Sequence, residues 1–264
     1  MIAATLRRLY HGIVPLRVRR VLRLTRFTRS RRARASLWRR TGGRVASGPL
    51  AGMLLSGSAP DDCFGAALLG AYECETHGWL ELEIARGWDA VVNVGSSEGY
   101  YSTGLALRLP AATVYAFEMD DSLRAETVRS SQRNGVDGRV RALGLADPNA
   151  LATLPLTSAL VLCDCEGYER ELLDPALIPW LAKSALLVEL HEFEAPGVTD
   201  VLRARFSVSH EIGIVEQRPR DAATWAARAA ISTRDAAMLL EEIRPLNGVA
   251  LPGRWMLLSP RPVP

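Results

Sequence analysis

Residues 160–173 read LVLCDCEGYERELL, an apolar run that passes straight into Asp164, Glu166, Glu169 and Glu171. A second chemically active pair, Glu189 and His191, follows in ALLVELHEF. Carboxylates and an imidazole brought together can take the proton from an attacking hydroxyl. They can also hold a divalent ion that lowers the pKa of that hydroxyl. Two other stretches carry binding chemistry. VVNVGSSEGYYS places Gly95 and Gly99 around a tight turn, and VYAFE ends in Glu118 some twenty residues later. A glycine turn lets backbone and ligand approach closely, and an acid at the end of the next strand can accept both hydroxyls of a ribose. The combination points to an adenosine ligand.

NAD and S-adenosylmethionine both meet that description, and the turn separates them. Its spacing is Gly-x-x-x-Gly instead of G-x-G-x-x-G, and Glu98 stands where a pyrophosphate would require bare amides at a positive helix end. A pyrophosphate would be repelled there, whereas an ammonium and a sulfonium would not. The third mark is Asp147 in LGLADPN, placed to accept a proton from an exocyclic adenine amine; Asp-Pro is equally a common way to start a turn or helix.

These residues need a scaffold, and the hydrophobic pattern supplies one. DAVVNVG (89–95), ATVYAFE (112–118), RVRALGLA (139–146), SALVLCD (158–164) and ALLVELHEF (185–193) are short apolar runs separated by helical stretches. The rhythm predicts a doubly wound α/β sheet of parallel strands covered on both faces. FSVSHEIGIVE (206–216) and RWMLLSP (254–260) break the crossover rhythm and are expected as an antiparallel edge. Ligands in such sheets bind outside the carboxyl ends of the strands, so each marked residue should gather at that rim. Glu169 and Glu171 fall in the first turns of a helix, where acids complement the macrodipole, and are expected to be structural. His77 is expected at a surface helix end, and His210 has no motif around it.

Charge divides the 264-residue chain. Residues 1–44 hold 14 arginines and no acid, while the remainder carries 18 basic against 29 acidic residues, a balance of −11. The basic part interleaves arginine with Leu, Val, Ile, Phe and Trp, a pattern that can lie on its own acidic body, on anionic lipid or on RNA. The Gly/Ser/Pro-rich segment 41–60 is expected to be a linker, giving an extension over 1–60 and a main domain over 61–264. No run of about 18 uncharged apolar residues occurs, which argues against a spanning helix, and the N-terminus lacks the pattern of a secretory signal. Cys63, Cys74, Cys163 and Cys165 have neither disulfide nor zinc-finger spacing, which fits a reducing, cytoplasmic setting.

With these elements located, the chain resembles class I S-adenosylmethionine-dependent methyltransferases, and most closely the FkbM-type family, over roughly residues 62–216. VVNVGSSEGYYS, VYAFEMD, LGLAD, CDCEGYERELL and LLVELHE carry the likeness; DxEGxE followed by ExH is its specific part. The resemblance implies a mostly parallel seven-stranded Rossmann-like sheet and S-adenosylmethionine as cofactor; the basic N-terminal helical extension, expected from the arginine pattern, lies outside the resemblance. By similarity Gly95, Ser97 and Gly99 line the methionine part, Glu118 holds the ribose and Asp147 approaches the adenine. Asn93 departs from the Asp usual at its position, and Glu98 offers a replacement for that charge.

The expected reaction is methyl transfer to a hydroxyl of a small molecule or glycan. In one route His191 or Asp164, with Glu166 beside it, is the base. In the other, Asp164, Glu166 and Glu189 hold a divalent ion. RNA methylation through the basic arm and a non-catalytic adaptor are the alternatives, with nucleic acid disfavoured by the acidic body. Peripheral membrane contact and self-association through the arm are further expectations.

Overall fold

The computed structural model describes residues 30–56, 63–240, 245–246, 249–250 and 252–262. Most of the Arg-rich arm, residues 1–29, lies outside them. The central sheet runs β3 (Val140–Leu143), β2 (Thr113–Phe117), β1 (Ala90–Val94), β4 (Leu160–Cys163), β5 (Ala185–Glu189), β9 (Arg254–Pro260) and β6 (His210–Glu216) in that order. β1, β2, β3, β4 and β5 are mutually parallel. β9 inserts antiparallel between β5 and β6. β7 (Pro245–Leu246) and β8 (Val249–Ala250) pair as a separate ribbon. This is the seven-stranded, mostly parallel Rossmann-like sheet expected, and the antiparallel edge falls on the two segments whose rhythm differed.

The side chains alternate between two cores. Val92, Val94 and Val161 face one cluster with Leu172, Trp180 and Phe206, while Val91, Leu160 and Leu187 face another with Leu105 and Trp255. All five residues of β1 are buried, as a central parallel strand covered by helices on both faces requires. The strand order reverses between β1 and β4, and the two strands are adjacent. That switch point opens a crevice at their carboxyl ends.

A third cluster forms a cap. Residues 30–41 are helical, with Ala33 and Leu37 buried one turn apart and Arg31, Arg32, Arg39 and Arg40 exposed. Trp38 stacks on Phe64 at 5.7 Å. The described end of the extension thus docks on its own domain. The described part of the segment expected as a linker, residues 41–56, is folded: Val45, Leu50, Met53 and Leu55 are buried, Ala46 N donates to Leu68 O at 2.9 Å, and the Asn134 amide brackets the Leu54 backbone. Val45, Met53 and Leu55 pack into the cap cluster despite the segment's Gly/Ser/Pro content, and their burial, about 1.5–3 kcal/mol for each large side chain, together with these hydrogen bonds offsets part of the cost of ordering the segment. Helix Phe64–Leu69 and residues Trp225 and Leu239 complete the cluster. No helix among the described residues is long and apolar enough to cross a membrane.

Candidate functional site

The crevice is a cleft of about 1080 Å³ along the carboxyl ends of β1, β2, β4 and β5. Gly95, Ser97, Glu118, Asp147, Asp164, Glu166, Glu189 and His191 all line it. Eight of the nine residues singled out for binding or catalysis therefore meet at one rim. The ninth, Gly99, N-caps the helix Tyr100–Arg108 and packs against Thr127 instead of lining the cleft.

Gly95 shows why the rim closes. It has φ +75°, and a Cβ there would lie 1.7 Å from the Asp164 carbonyl oxygen. The missing side chain admits the backbone of β4's end, bringing Asp164 beside the turn. Asp164 N donates to Val94 O at 3.0 Å, fixing the approach. The turn is also tied to β2: Gly95 N and Ser96 N donate to Phe117 O, and Ser97 N donates to Glu118 Oε2 at 2.9 Å. Glu118 Oε1 accepts from Asp120 N at 2.9 Å. Both carboxylate oxygens keep a second lone pair that can face a ligand. Asp147 is exposed and N-caps the helix Pro148–Ala152, its Oδ1 accepting from Ala150 N at 2.7 Å. Four residues, Gly144 to Asp147, separate β3 from that helix, so Asp147 stands in a loop beyond the strand's end.

A smaller pocket of about 120 Å³ continues behind the turn and shares Cys63, Tyr72, Gly95, Ser97, Asp164 and Glu189 with the cleft. Glu73, Glu98, Asp164 and Glu189 line it, and no Lys, Arg or His does among the described residues. Glu73 is buried at φ +47°, and its Oε2 accepts from the Tyr101 hydroxyl at 2.6 Å. Burial, then the Glu73 charge, push the Tyr101 phenol well above its ordinary pKa. Asn93 is buried and donates to Ser102 Oγ at 2.9 Å. A pocket walled by four carboxylates suits a ligand group of positive charge.

Beyond β4 the chain turns sharply, with Glu166 at φ +54° and Gly167 at φ +108°. The turn returns Glu166 toward His191, whose Nε2 lies 3.4 Å from Glu166 Oε2 and 3.6 Å from Asp164 Oδ1. His191 Nδ1 is bonded to Glu169 Oε1 at 2.7 Å. Burial works against the imidazolium, but the Glu169 hydrogen bond and charge, reinforced by Asp164 and Glu166, hold the His191 pKa above its ordinary value. Burial likewise works against the Glu169 carboxylate, and its histidine bond outweighs that effect and lowers its pKa.

Glu169 corrects the sequence reading. It is fully buried and grips His191, so it belongs to the site, while Glu171 pairs with Arg170 at the surface. The missed signal was the D-x-E-G-x-E spacing itself: Gly167 permits the turn that folds Glu169 back beneath Glu166. Of the three residues expected to hold a metal, Asp164 and Glu166 fall in one donor cluster. Asp164, Glu166 and His191 each bring one donor atom to within 4.8 Å of the others, and Glu189 is outside that group. β5 ends at Glu189, whose side chain closes the small pocket, and His191 lies two residues past the strand. Glu73 had no motif around it, and Tyr101, though inside VVNVGSSEGYYS, had no assigned role; the fold brings the two together. His77 Nε2 bonds Tyr72 O at 2.9 Å and lines neither cavity.

No protein-family model matches the chain. No curated protein matches it either. Among solved structures it is similar to an O-methyltransferase of Streptomyces achromogenes involved in tomaymycin synthesis, in complex with SAM, at 15% identity, with 68% of this chain and 77% of that one covered and a TM-score of 0.43. It is similar to the precorrin-6y C5,15-methyltransferase of Geobacter metallireducens at 9% identity over 69% and 89%, TM-score 0.45. A tRNA methyltransferase of Bacillus subtilis matches at 11% over 69% and 64%, TM-score 0.44. These likenesses are distant, and the chemistry of the site rests on this chain's own residues.

Proposed function

We propose that the protein is an S-adenosylmethionine-dependent O-methyltransferase of FkbM type, acting on a hydroxyl of a small molecule or glycan. The observation that carries this reading is the acidic pocket behind the Gly95 turn, joined to a larger cleft that Glu118 and Asp147 also line. Glu73, Glu98 and Glu189 would hold a cationic amino-acid portion, and Glu118 would accept from a ribose while steadying the turn through Ser97 N. Asp147 retains one oxygen not committed to Ala150 for an adenine amine. When bound, S-adenosylmethionine supplies an electrophilic methyl group on a sulfonium. An acceptor oxygen must lose its proton to react, and Asp164, Glu166 and His191 stand beside the pocket's mouth to assist that loss. Leu190 and Phe193, further along the cleft wall, would contact the acceptor.

Isothermal titration tests the reading. S-adenosylmethionine and S-adenosylhomocysteine should bind and NAD should not, and Asp164→Ala should abolish methyl transfer while keeping cofactor affinity within several fold. Absence of S-adenosylmethionine binding to the folded chain overturns it. RNA as acceptor is the second reading, favoured by the exposed arginines of helix 30–41; it predicts salt-sensitive RNA retention that is lost on removing residues 1–44.

A further inference from the structure

We propose that Asp164, Glu166 and His191 bind one divalent transition-metal ion, with Glu169 as the positioning residue that presents the histidine. The ion's role in activating a hydroxyl rests on the methyl-transfer reading; its binding does not.

His191 is only 9% exposed, and its Nε2 has no hydrogen-bond partner. Asp164 Oδ1 is buried and lacks one as well. Two such atoms face each other across 3.6 Å, with Glu166 Oε2 at 3.4 Å, and buried polar atoms that lack a protein partner are costly. The separations are too long for good hydrogen bonds. They match what an ion requires: donors about 2.0–2.2 Å from a tetrahedral centre stand about 3.4 Å apart. Glu169 Oε1, at 2.7 Å, favours the proton on Nδ1 and leaves the Nε2 lone pair facing the two carboxylates. A carboxylate behind a ligating histidine is the usual outer partner of a metal site.

Charge and backbone agree with this. Three carboxylates surround one imidazole, so even a protonated ring leaves the cluster net negative. Glu166 holds a left-handed φ of +54° while turning its carboxylate toward the histidine, the kind of local strain that persists where the surroundings over-determine it. The three donors line a cleft of about 1080 Å³, which leaves coordination positions open to water or a hydroxyl. One nitrogen and two carboxylate donors suit Mn²⁺, Fe²⁺, Co²⁺ or Zn²⁺ better than Mg²⁺ or Ca²⁺. In the reaction the ion would bind the acceptor oxygen, whose proton leaves to water at the open mouth; the oxygen–methyl bond forms as the methyl–sulfur bond breaks, its electron pair returning to sulfur.

Mn²⁺ is the appropriate probe, because a thiophilic metal could lodge on Cys163 and Cys165, whose sulfurs are 3.6 Å apart. Titrated into the full chain without other ligands and followed by electron paramagnetic resonance of free Mn²⁺, one ion should bind per chain. Asp164→Asn and His191→Ala should each weaken binding at least tenfold, and Glu169→Gln about tenfold. Glu166→Gln, at an exposed position whose loss leaves the fold intact, should also weaken it tenfold, while Glu171→Gln should not. Failure of the folded protein to bind Mn²⁺ stoichiometrically, or equal affinity in the Glu166→Gln and Asp164→Asn variants and the unaltered chain, overturns the proposal. Parallel S-adenosylmethionine titration separates the two readings: Mn²⁺ bound without cofactor supports the ion site alone, and cofactor bound without Mn²⁺ removes it.

Discussion

Gly95→Ala tests the contact on which the site's assembly depends. The added methyl would sit 1.7 Å from the Asp164 carbonyl oxygen and 2.8 Å from its carbon. An ordinary carbon–oxygen contact is about 3.3 Å, so the end of β4 must retreat by roughly 1.6 Å. The left-handed φ of +75° adds about 1–2 kcal/mol for a residue with a Cβ. Overpacking against backbone adds about 1–3 kcal/mol, and stretching the Asp164 N to Val94 O bond about 1 kcal/mol. The expected loss is about 3–6 kcal/mol, a large part of the ~5–15 kcal/mol that stabilises a domain. Gly135→Ala is the control, since Gly135 has φ +69° and nothing within 4 Å of its would-be Cβ. It should lose only the backbone contribution, about 1–2 kcal/mol. Urea unfolding followed by circular dichroism should separate the two midpoints by about 1 M. Coincident midpoints would mean that the β1–β4 approach relaxes freely and that Gly95 serves only its φ.

Three further outcomes follow from the geometry. Glu118→Ala removes the acceptor for Ser97 N and should weaken S-adenosylmethionine binding at least tenfold by calorimetry, with a loss of about 1–3 kcal/mol in stability. Glu73→Gln keeps a partner for the Tyr101 hydroxyl but removes a charge from the small pocket, so cofactor affinity should fall several fold while the thermal midpoint changes little. His210 is fully buried between Ser209 Oγ and Ser184 O, and burial lowers its pKa below the ordinary value. The unfolded chain therefore takes up its proton first, and stability should fall as pH drops below about 6.5, the ordinary histidine pKa. Thermal scans from pH 8 to pH 5 should show that fall, and His210→Gln should reduce it.

The sheet was legible because each strand is a compact apolar run next to a helix signal. AVVNV and LVLC are buried along their whole length, and no other element fits such runs. Boundaries were less legible. The third strand was expected to reach residue 146 but ends at Leu143, since Gly144 to Asp147 are claimed by the loop and the following helix cap. Ahead of β1, Gly70 at φ +74° ends the helix Phe64–Leu69 before His77–Arg86 begins. The residues that line the cleft were visible because they sit at or just beyond strand ends, where position alone predicts the rim. Glu169 was not, because a short helical turn beginning with an acid looks like macrodipole compensation until the turn at Glu166 and Gly167 is seen to bury it. Glu73 and Tyr101 meet only because the cap folds over the sheet, a long-range event with no local signature.

In the seven-stranded sheet β6 touches no strand except β9, and β9 is the last of the seven along the chain. The outer third of the sheet is therefore keyed by its final strand: until residues 254–260 slide in, β5 presents a bare edge and β6 has nowhere to dock. Trp255 travels with that key into the wall of the small pocket. The wall of the small pocket and the join between β5 and β6 thus depend on one strand, and clipping the chain ahead of Arg254 would undo both at once.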